Sequence, residues 1–503
     1  MKKKFLLFIN LLALLFAWQV SHIKEVSADD KIKVVTTFYP VYEFTKAVTG
    51  DSADVSMLIK AGTEPHDFEP STKNVATISD ADMFVYMDDS METWVKKVQK
   101  SINSDDLTVV KSTGDMLLMA GTAEEEEEGH EGHSHEYDPH VWLSPKRAVT
   151  LVENIRDAFV AKYPDKAETF KTNSAAYIEK LNDLDKKYSD ALSNAKQKSF
   201  VTQHAAFGYL ALDYGLNQIP ITGVSAESEP SAKRLASLTK YVKKYDIKYI
   251  YFEENASSKV AATLADEAGV KTAVLNPLES LTTKEIKAGE DYFTVMKDNL
   301  KALRLTTDVK GKEIKAETDD TKTVQHGYFK DKDVTDRKLT DWSGTWQSVY
   351  PYLLDGTLDE VWEYKADASK GEQTAQEVKD YYTTGYKTDV EKIIIDGKKN
   401  TVTFVQNGEE HKYIYKYVGY KILKYEKGNR GVRYLFEAKD DNAGDFKYIQ
   451  FSDHNISSTK AEHFHLFWGS TSQKAILKEM DNWPTYFPAS KSGQEIAQDL
   501  VAH

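Results

Sequence analysis

Two kinds of hydrophobic periodicity share this chain, and a stretch with few large apolar residues parts them. From Ile32 onward, short β-rich runs alternate with helical patterns: Ile32 to Thr37, Val55 to Ile59, Met83 to Tyr86 and Leu107 to Lys111, then Ser199 to Gln203, Gln218 to Thr222, Lys248 to Phe252 and Thr272 to Leu275. Strands interleaved with helices favour parallel sheets. Between the two series, after Pro164, apolar or small residues recur at Ala167, Phe170, Ser174, Tyr177, Leu181, Leu184, Tyr188 and Ala191. That three-and-four spacing predicts one helix over about 164–196, roughly 45 Å long. Residues 29–307 therefore read as two α/β lobes, about 31–160 and 197–307, joined by a rigid helix.

The stretch from Asp308 to Thr323 is rich in Lys, Glu, Asp and Thr and reads as part of an exposed linker over 308–326. Beyond it the period becomes that of strands, through Ile393 to Ile395, Thr401 to Val405, Tyr413 to Tyr417, Arg433 to Glu437 and Phe446 to Phe451. Asp396-Gly397 and Asn407-Gly408 supply hairpin turns between them. Residues 327–503 thus predict an antiparallel barrel or sandwich with some helix. A chain of 503 residues exceeds one ordinary core, so several domains are expected.

A formal net charge of −14 argues against nucleic acid as a partner and suits a solvated protein that attracts cations. Lys2, Lys3 and Lys4 precede an apolar run from Phe5 to Val20 and then Val26-Ser27-Ala28, the pattern of an export signal cleaved before Asp29, with a short retained membrane anchor as the alternative. No cysteine is present, so the exported chain folds without disulfides; lacking a lipobox cysteine, it is not expected to be lipid-anchored.

Thirteen histidines in a cysteine-free chain turn attention to metal capture, since without thiolates a tetrahedral site must use imidazole and carboxylate. Loops at the carboxyl ends of strands gather around the ligand crevice of α/β folds. His66, in A-G-T-E-P-H-D-F-E-P, His140, in Y-D-P-H-V-W-L-S-P, and His204, in S-F-V-T-Q-H, all occupy such ends, as does Glu279 in L-N-P-L-E. A lone histidine there more often caps a loop; four residues at equivalent ends favour a site. Glu253, Glu254 or water could take the carboxylate's place.

The segments T-T-F-Y-P at 36–40, G-T-E-P-H-D-F-E-P at 62–70, D-P-H-V-W-L-S-P at 138–145, Q-H-A-A-F-G-Y at 203–209 and the late P-L-E resemble the zinc-specific solute-binding proteins of ABC transporters, the ZnuA type, over about residues 31–307. The resemblance implies that His66, His140, His204 and Glu279 are zinc ligands. Three imidazoles favour zinc, whereas manganese-type relatives carry more oxygen. Glu124 to Glu128 and then His130, His133 and His135 form an acidic, histidine-rich loop, 124–136, read as a weak zinc collector.

In H-F-H-L-F-W, His463 and His465 fall on one face of a predicted strand, and His454 ends the strand I-Q-F-S-D-H. Three such histidines make an open zinc site at a barrel mouth, which water, a carboxylate or His503 completes. D-W-S-G-T-W-Q-S-V-Y-P-Y-L at 341–353, K-G-N-R-G-V-R at 427–433, F-S-D-H and H-F-H-L-F-W resemble ZinT, a periplasmic zinc-binding protein with a lipocalin-like barrel. That resemblance assigns zinc to His454, His463 and His465.

The fold expected is a two-lobed α/β solute-binding domain followed by a β-rich lipocalin-like barrel. Together the halves resemble the AdcA type of two-domain extracytoplasmic zinc receptor, which implies delivery of zinc to a membrane ABC permease, no reaction, a monomer, and contact with other extracellular zinc-binding proteins. Two rivals stand beside it. A secreted zinc hydrolase would use the open three-histidine site to activate water, but no H-E-x-x-H is present. A surface adhesin has no independent support in the sequence.

Overall fold

In a computed structural model, residues 31–102, 106–121, 137–221, 232–253, 259–312, 324, 327–369, 371–425, 428–478 and 480–502 are described. The export signal, the linker from 313 to 323, the acidic loop with His130, His133 and His135, Glu254 and His503 lie outside them. The chain divides into two compact units, one of Met1–Gly114, Trp142–Lys187 and Asn276–Asn299, the other of Asp115–Val141, Tyr188–Leu275 and Leu300–His503.

The first unit holds a four-stranded parallel sheet of β1 (Ile32–Thr36), β2 (Ala53–Met57), β3 (Met83–Tyr86) and β4 (Thr108–Lys111), in the order β2-β1-β3-β4. Every residue of Met83–Tyr86 is buried, as befits a strand covered on both faces. One face packs Val35, Phe84 and Tyr86 against Ile78, Trp94, Val95 and Val98. Helix Thr72–Ser79 starts at Ser71, whose hydroxyl accepts from the Asn74 amide while the Asn74 side chain reaches back to the Ser71 amide, a reciprocal cap. Pro145 opens helix Pro145–Lys162, where a missing N–H costs nothing.

The predicted long helix is present as a short 3-10 turn, Pro164–Lys166, running into the 26-residue α-helix Ala167–Leu192. In the second unit, β5 (Ser199–Thr202), β6 (Asn217–Pro220), β7 (Tyr249–Phe252) and β8 (Lys271–Val274) form a second parallel sheet, ordered β6-β5-β7-β8.

The same unit holds an eight-stranded antiparallel barrel: β9 (Gly344–Ser348), β10 (Val390–Asp396), β11 (Thr401–Gln406), β12 (Glu409–Lys424), β13 (Arg430–Ala438), β14 (Tyr448–Ser452), β15 (Phe464–Gly469) and β16 (Thr485–Pro488), with β16 closing onto β9. Closure leaves no sheet edge unpaired. Asn407-Gly408 makes a two-residue turn with φ of 51° and 80°, the left-handed pair that matches strand twist. Asp396-Gly397 does not: Asp396 still pairs with Thr401, and Asn400, at φ 54°, supplies the left-handed position of a longer turn. Phe446 ends a 3-10 turn, Gly444–Phe446, rather than opening β14, though its ring still stacks on Phe404 at 4.1 Å. Inside the barrel lie Trp342, Trp346, Phe404, Tyr434, Phe436, Phe451, Phe464, Leu466 and Tyr486. Outside it, Val349, Leu353, Trp362, Tyr386, Phe487 and Ile496 form a separate helical layer that also takes in Leu117.

Candidate metal centres

His66 follows β2 in a loop, and its backbone N–H donates to Glu64 Oε1 at 3.0 Å. Glu279 is placed by a strained turn. Leu278 adopts φ 56°, and its N–H donates to Asn276 Oδ1 at 2.7 Å, which secures a conformation few branched residues adopt freely. Asn299 grips Asn276 through two further bonds, of 2.8 and 2.7 Å. His66 Nε2 then lies 3.5 Å from Glu279 Oε1, with both side chains buried.

His140 is oriented by the residue two before it. Asp138 Oδ1 accepts from the His140 backbone N–H at 2.9 Å and lies 2.8 Å from His140 Nδ1. Tyr209 holds that segment, its hydroxyl donating to the Asp138 carbonyl at 2.7 Å and accepting from the Met119 N–H at 2.8 Å. His204, just beyond β5, has Nδ1 bonded to Glu253 Oε1 in the same way, and its ring centroid is 5.3 Å from that of His140. A carboxylate on Nδ1 fixes the tautomer and leaves Nε2 as the lone-pair donor, the arrangement that metal-binding histidines use. The four side chains His66, His140, His204 and Glu279 can each offer one ligand atom, all within 4.8 Å of one another. Sequence reasoning left Glu253 as a rival to Glu279. The geometry gives Glu253 a different place, on the imidazole of His204.

His465 sits on β15 between Phe464 and Leu466, both of which point into the barrel, so it faces outward. The His465 side chain therefore leaves the outer side of the wall, while His454 and His463 lie just beyond the ends of β14 and β15, at the rim of the barrel. His454 follows β14 at φ 64°. His454 Nε2 and His465 Nε2 are 3.3 Å apart, and the rings of His454, His463 and His465 lie 5.4 to 5.9 Å from one another. The Thr485 hydroxyl donates to the Trp483 carbonyl at 2.9 Å, so at 2.8 Å it accepts from His465 Nδ1–H and again frees Nε2. Burial, with His454, His463 and Arg433 adding to it, holds the His465 imidazole well below its usual pKa, in the neutral form a metal needs. His463 stacks on Phe487 at 5.3 Å. These three histidines form a second group of potential ligands.

An N3O set of buried, pre-oriented donors and a second set of imidazoles suit a borderline-soft divalent ion such as zinc. The family of the periplasmic zinc-uptake complex component A, ZnuA, matches residues 34–305, and that of the periplasmic lipocalin-like zinc-recruitment protein ZinT (YodA) matches 320–503. A zinc-binding protein AdcA of Streptococcus pyogenes serotype M6 is 66% identical over 515 residues, covering 100% of both chains. The chain belongs to the AdcA family of zinc-binding proteins. Another member, the zinc-binding lipoprotein AdcA of Streptococcus pneumoniae, is 62% identical over 507 residues with 100% of both chains covered. The crystal structure of Zn(II)-bound AdcA from Streptococcus pneumoniae superposes with a TM-score of 0.82 at 62% identity, over 94% of this chain and 100% of that one.

One expectation is corrected by the AdcA relatives. The absence of cysteine predicts an exported chain without lipid anchoring, yet two relatives aligned over their whole length are named lipoproteins. A missing cysteine removes one attachment chemistry, thioether linkage, and does not decide where a member of this family resides. The expectation of an unanchored chain is withdrawn.

Proposed function

We propose that this chain is an extracytoplasmic zinc receptor that captures Zn2+ and passes it to a membrane ABC permease. In this reading residues 29–307 bind the transported ion through His66, His140, His204 and Glu279, and residues 327–503 scavenge zinc through His454, His463 and His465. The observation that carries the reading is the N3O set with its two carboxylate-oriented imidazoles. Three neutral imidazoles and one carboxylate leave a net positive charge on bound zinc, so the ion is held firmly yet can be surrendered. Asp138 and Glu253, the carboxylates behind two of its imidazoles, are engaged by ring nitrogens, which suits binding rather than general-base catalysis. Zinc is cargo and no reaction is catalysed. The receptor acts as a monomer, and His130, His133 and His135 add weak collection on the acidic loop.

The test is uptake. Cells lacking their own receptor should regain zinc import with this chain and not with one carrying His140→Ala and His204→Ala. Restored import by the double variant would overturn the assignment of the transport site.

A further inference from the structure

Near His465 lies a buried cation with no anion among the described residues. Arg433 is 3% exposed, and its Nε and Nη1 have no hydrogen-bond partner. The guanidinium lies over the Phe467 ring, 3.3 Å from its centroid, and the Tyr425 phenol is within hydrogen-bonding reach of it. Among the described residues no carboxylate pairs with it, whereas Arg337, the other fully buried arginine of the barrel, has both Asp453 and Asp341. Burying an unpaired charge is strongly unfavourable, so the fold keeps Arg433 in a state that an incoming anion would relieve.

Strand register places Arg433 in the same cross-strand row as His465, with Phe467 one row further from His463. Tyr434 pairs with Phe451 and Ser452 pairs with His465, so Arg433, Ser452 and His465 occupy neighbouring strands on the outer wall of the barrel. Phe467, under the guanidinium, is two residues beyond His465 and shares its face. The positive charge of Arg433 acts on His465. Three neutral imidazoles contribute no negative charge, so zinc held by them would face a second cation without compensation.

We propose that the second site binds zinc together with a small carboxylate, which fills the open coordination position and accepts hydrogen bonds from Arg433. Arg433 thereby makes the site selective for zinc that arrives with, or meets, a carboxylate co-ligand. The planar fork of a guanidinium matches the two oxygens of a carboxylate, which a lone ammonium does not. The proposal rests on His454, His463 and His465 being zinc ligands.

The experiment is a competitive zinc titration of the full chain at fixed pH and ionic strength, with acetate replaced stepwise by chloride. Acetate should tighten the weaker, second-site zinc by about tenfold, as a charge-assisted bond would, and leave the tighter zinc unchanged as an internal control. Arg433→Met, which keeps the apolar stem on Phe467, should lose the acetate gain; Arg433→Lys should keep only a minor part. Equal acetate responses at both sites, no response in the unsubstituted chain, or a full gain in Arg433→Met overturns the proposal. Because the unsubstituted chain alone can refute it, poor folding of a variant does not shield it. His454→Ala in parallel separates the two claims: if that variant still binds two zinc ions, the second-site reading itself has failed.

Discussion

Asp138 and Glu253 carry as much of the account as the histidines they hold. Each fixes an imidazole through Nδ1, and neither is among the four clustered candidate donors. Asp138→Asn or Glu253→Gln should therefore weaken zinc at the first set by about ten- to a hundredfold while the chain still folds; calorimetric titration measures it, and unchanged affinity would mean that the rings are held by packing alone. The clustering of the histidines was legible because four residues stand at equivalent strand ends, although any one of them alone would more often cap a loop. Their supports were not, since Glu253 meets His204 across 49 positions, a pairing that only the folded sheet creates. Glu92 makes a separate prediction. Burial pushes its pKa from 4.5 to about 8, although Met87 and Asp88 N–H groups donate to it. A carboxyl raised in the folded state binds its proton there more tightly than in the unfolded chain. Its contribution is thus complete below about pH 4.5 and is lost as pH rises through about 8. Metal-free chain should lose stability with rising pH across that window, on the order of 1 kcal/mol per unit, and Glu92→Gln should flatten the slope in thermal melts. An unchanged slope would show that Glu92 is ionised when folded.

At the scale of elements, the parallel sheets were the most readable part, because runs such as Met83–Tyr86 are apolar throughout and bounded by helical patterns. The barrel was readable as β but not in detail. β9 and β16, which close it, are five and four residues long and lack a strong alternating signal of their own. The outward direction of His465 needed the register of Phe464 and Leu466, which a motif does not state. One element-level contact invites a test. A Cβ at Gly208, at the start of helix Gly208–Asp213, would lie 2.8 Å from Asp138 Oδ2. Gly208→Ala should push that carboxylate off His140 and reduce zinc affinity at the first set by about tenfold, with helix content by circular dichroism unchanged. Full affinity would mean that the helix shifts and the carboxylate does not.

Across the whole molecule, the chain joins a set of four buried donors to a set of three more exposed ones. A buried, pre-oriented N3O set loses little freedom on binding, whereas three more exposed histidines at the barrel rim leave a coordination position open for exchange. Zinc should therefore raise the melting temperature more than manganese at equal free concentration, by an amount equivalent to about 4 kcal/mol at a thousandfold excess over Kd, and a larger manganese shift would reverse the choice of metal. Replacing His454, His463 and His465 with Ala should remove one zinc and impair import mainly under scarcity. The most direct test of the account is a competitive zinc titration of the full chain beside one carrying His140→Ala and His204→Ala. The account predicts two zinc ions on the first and one on the second, with the tighter of the two lost. Retention of the tighter ion by the double variant would contradict it.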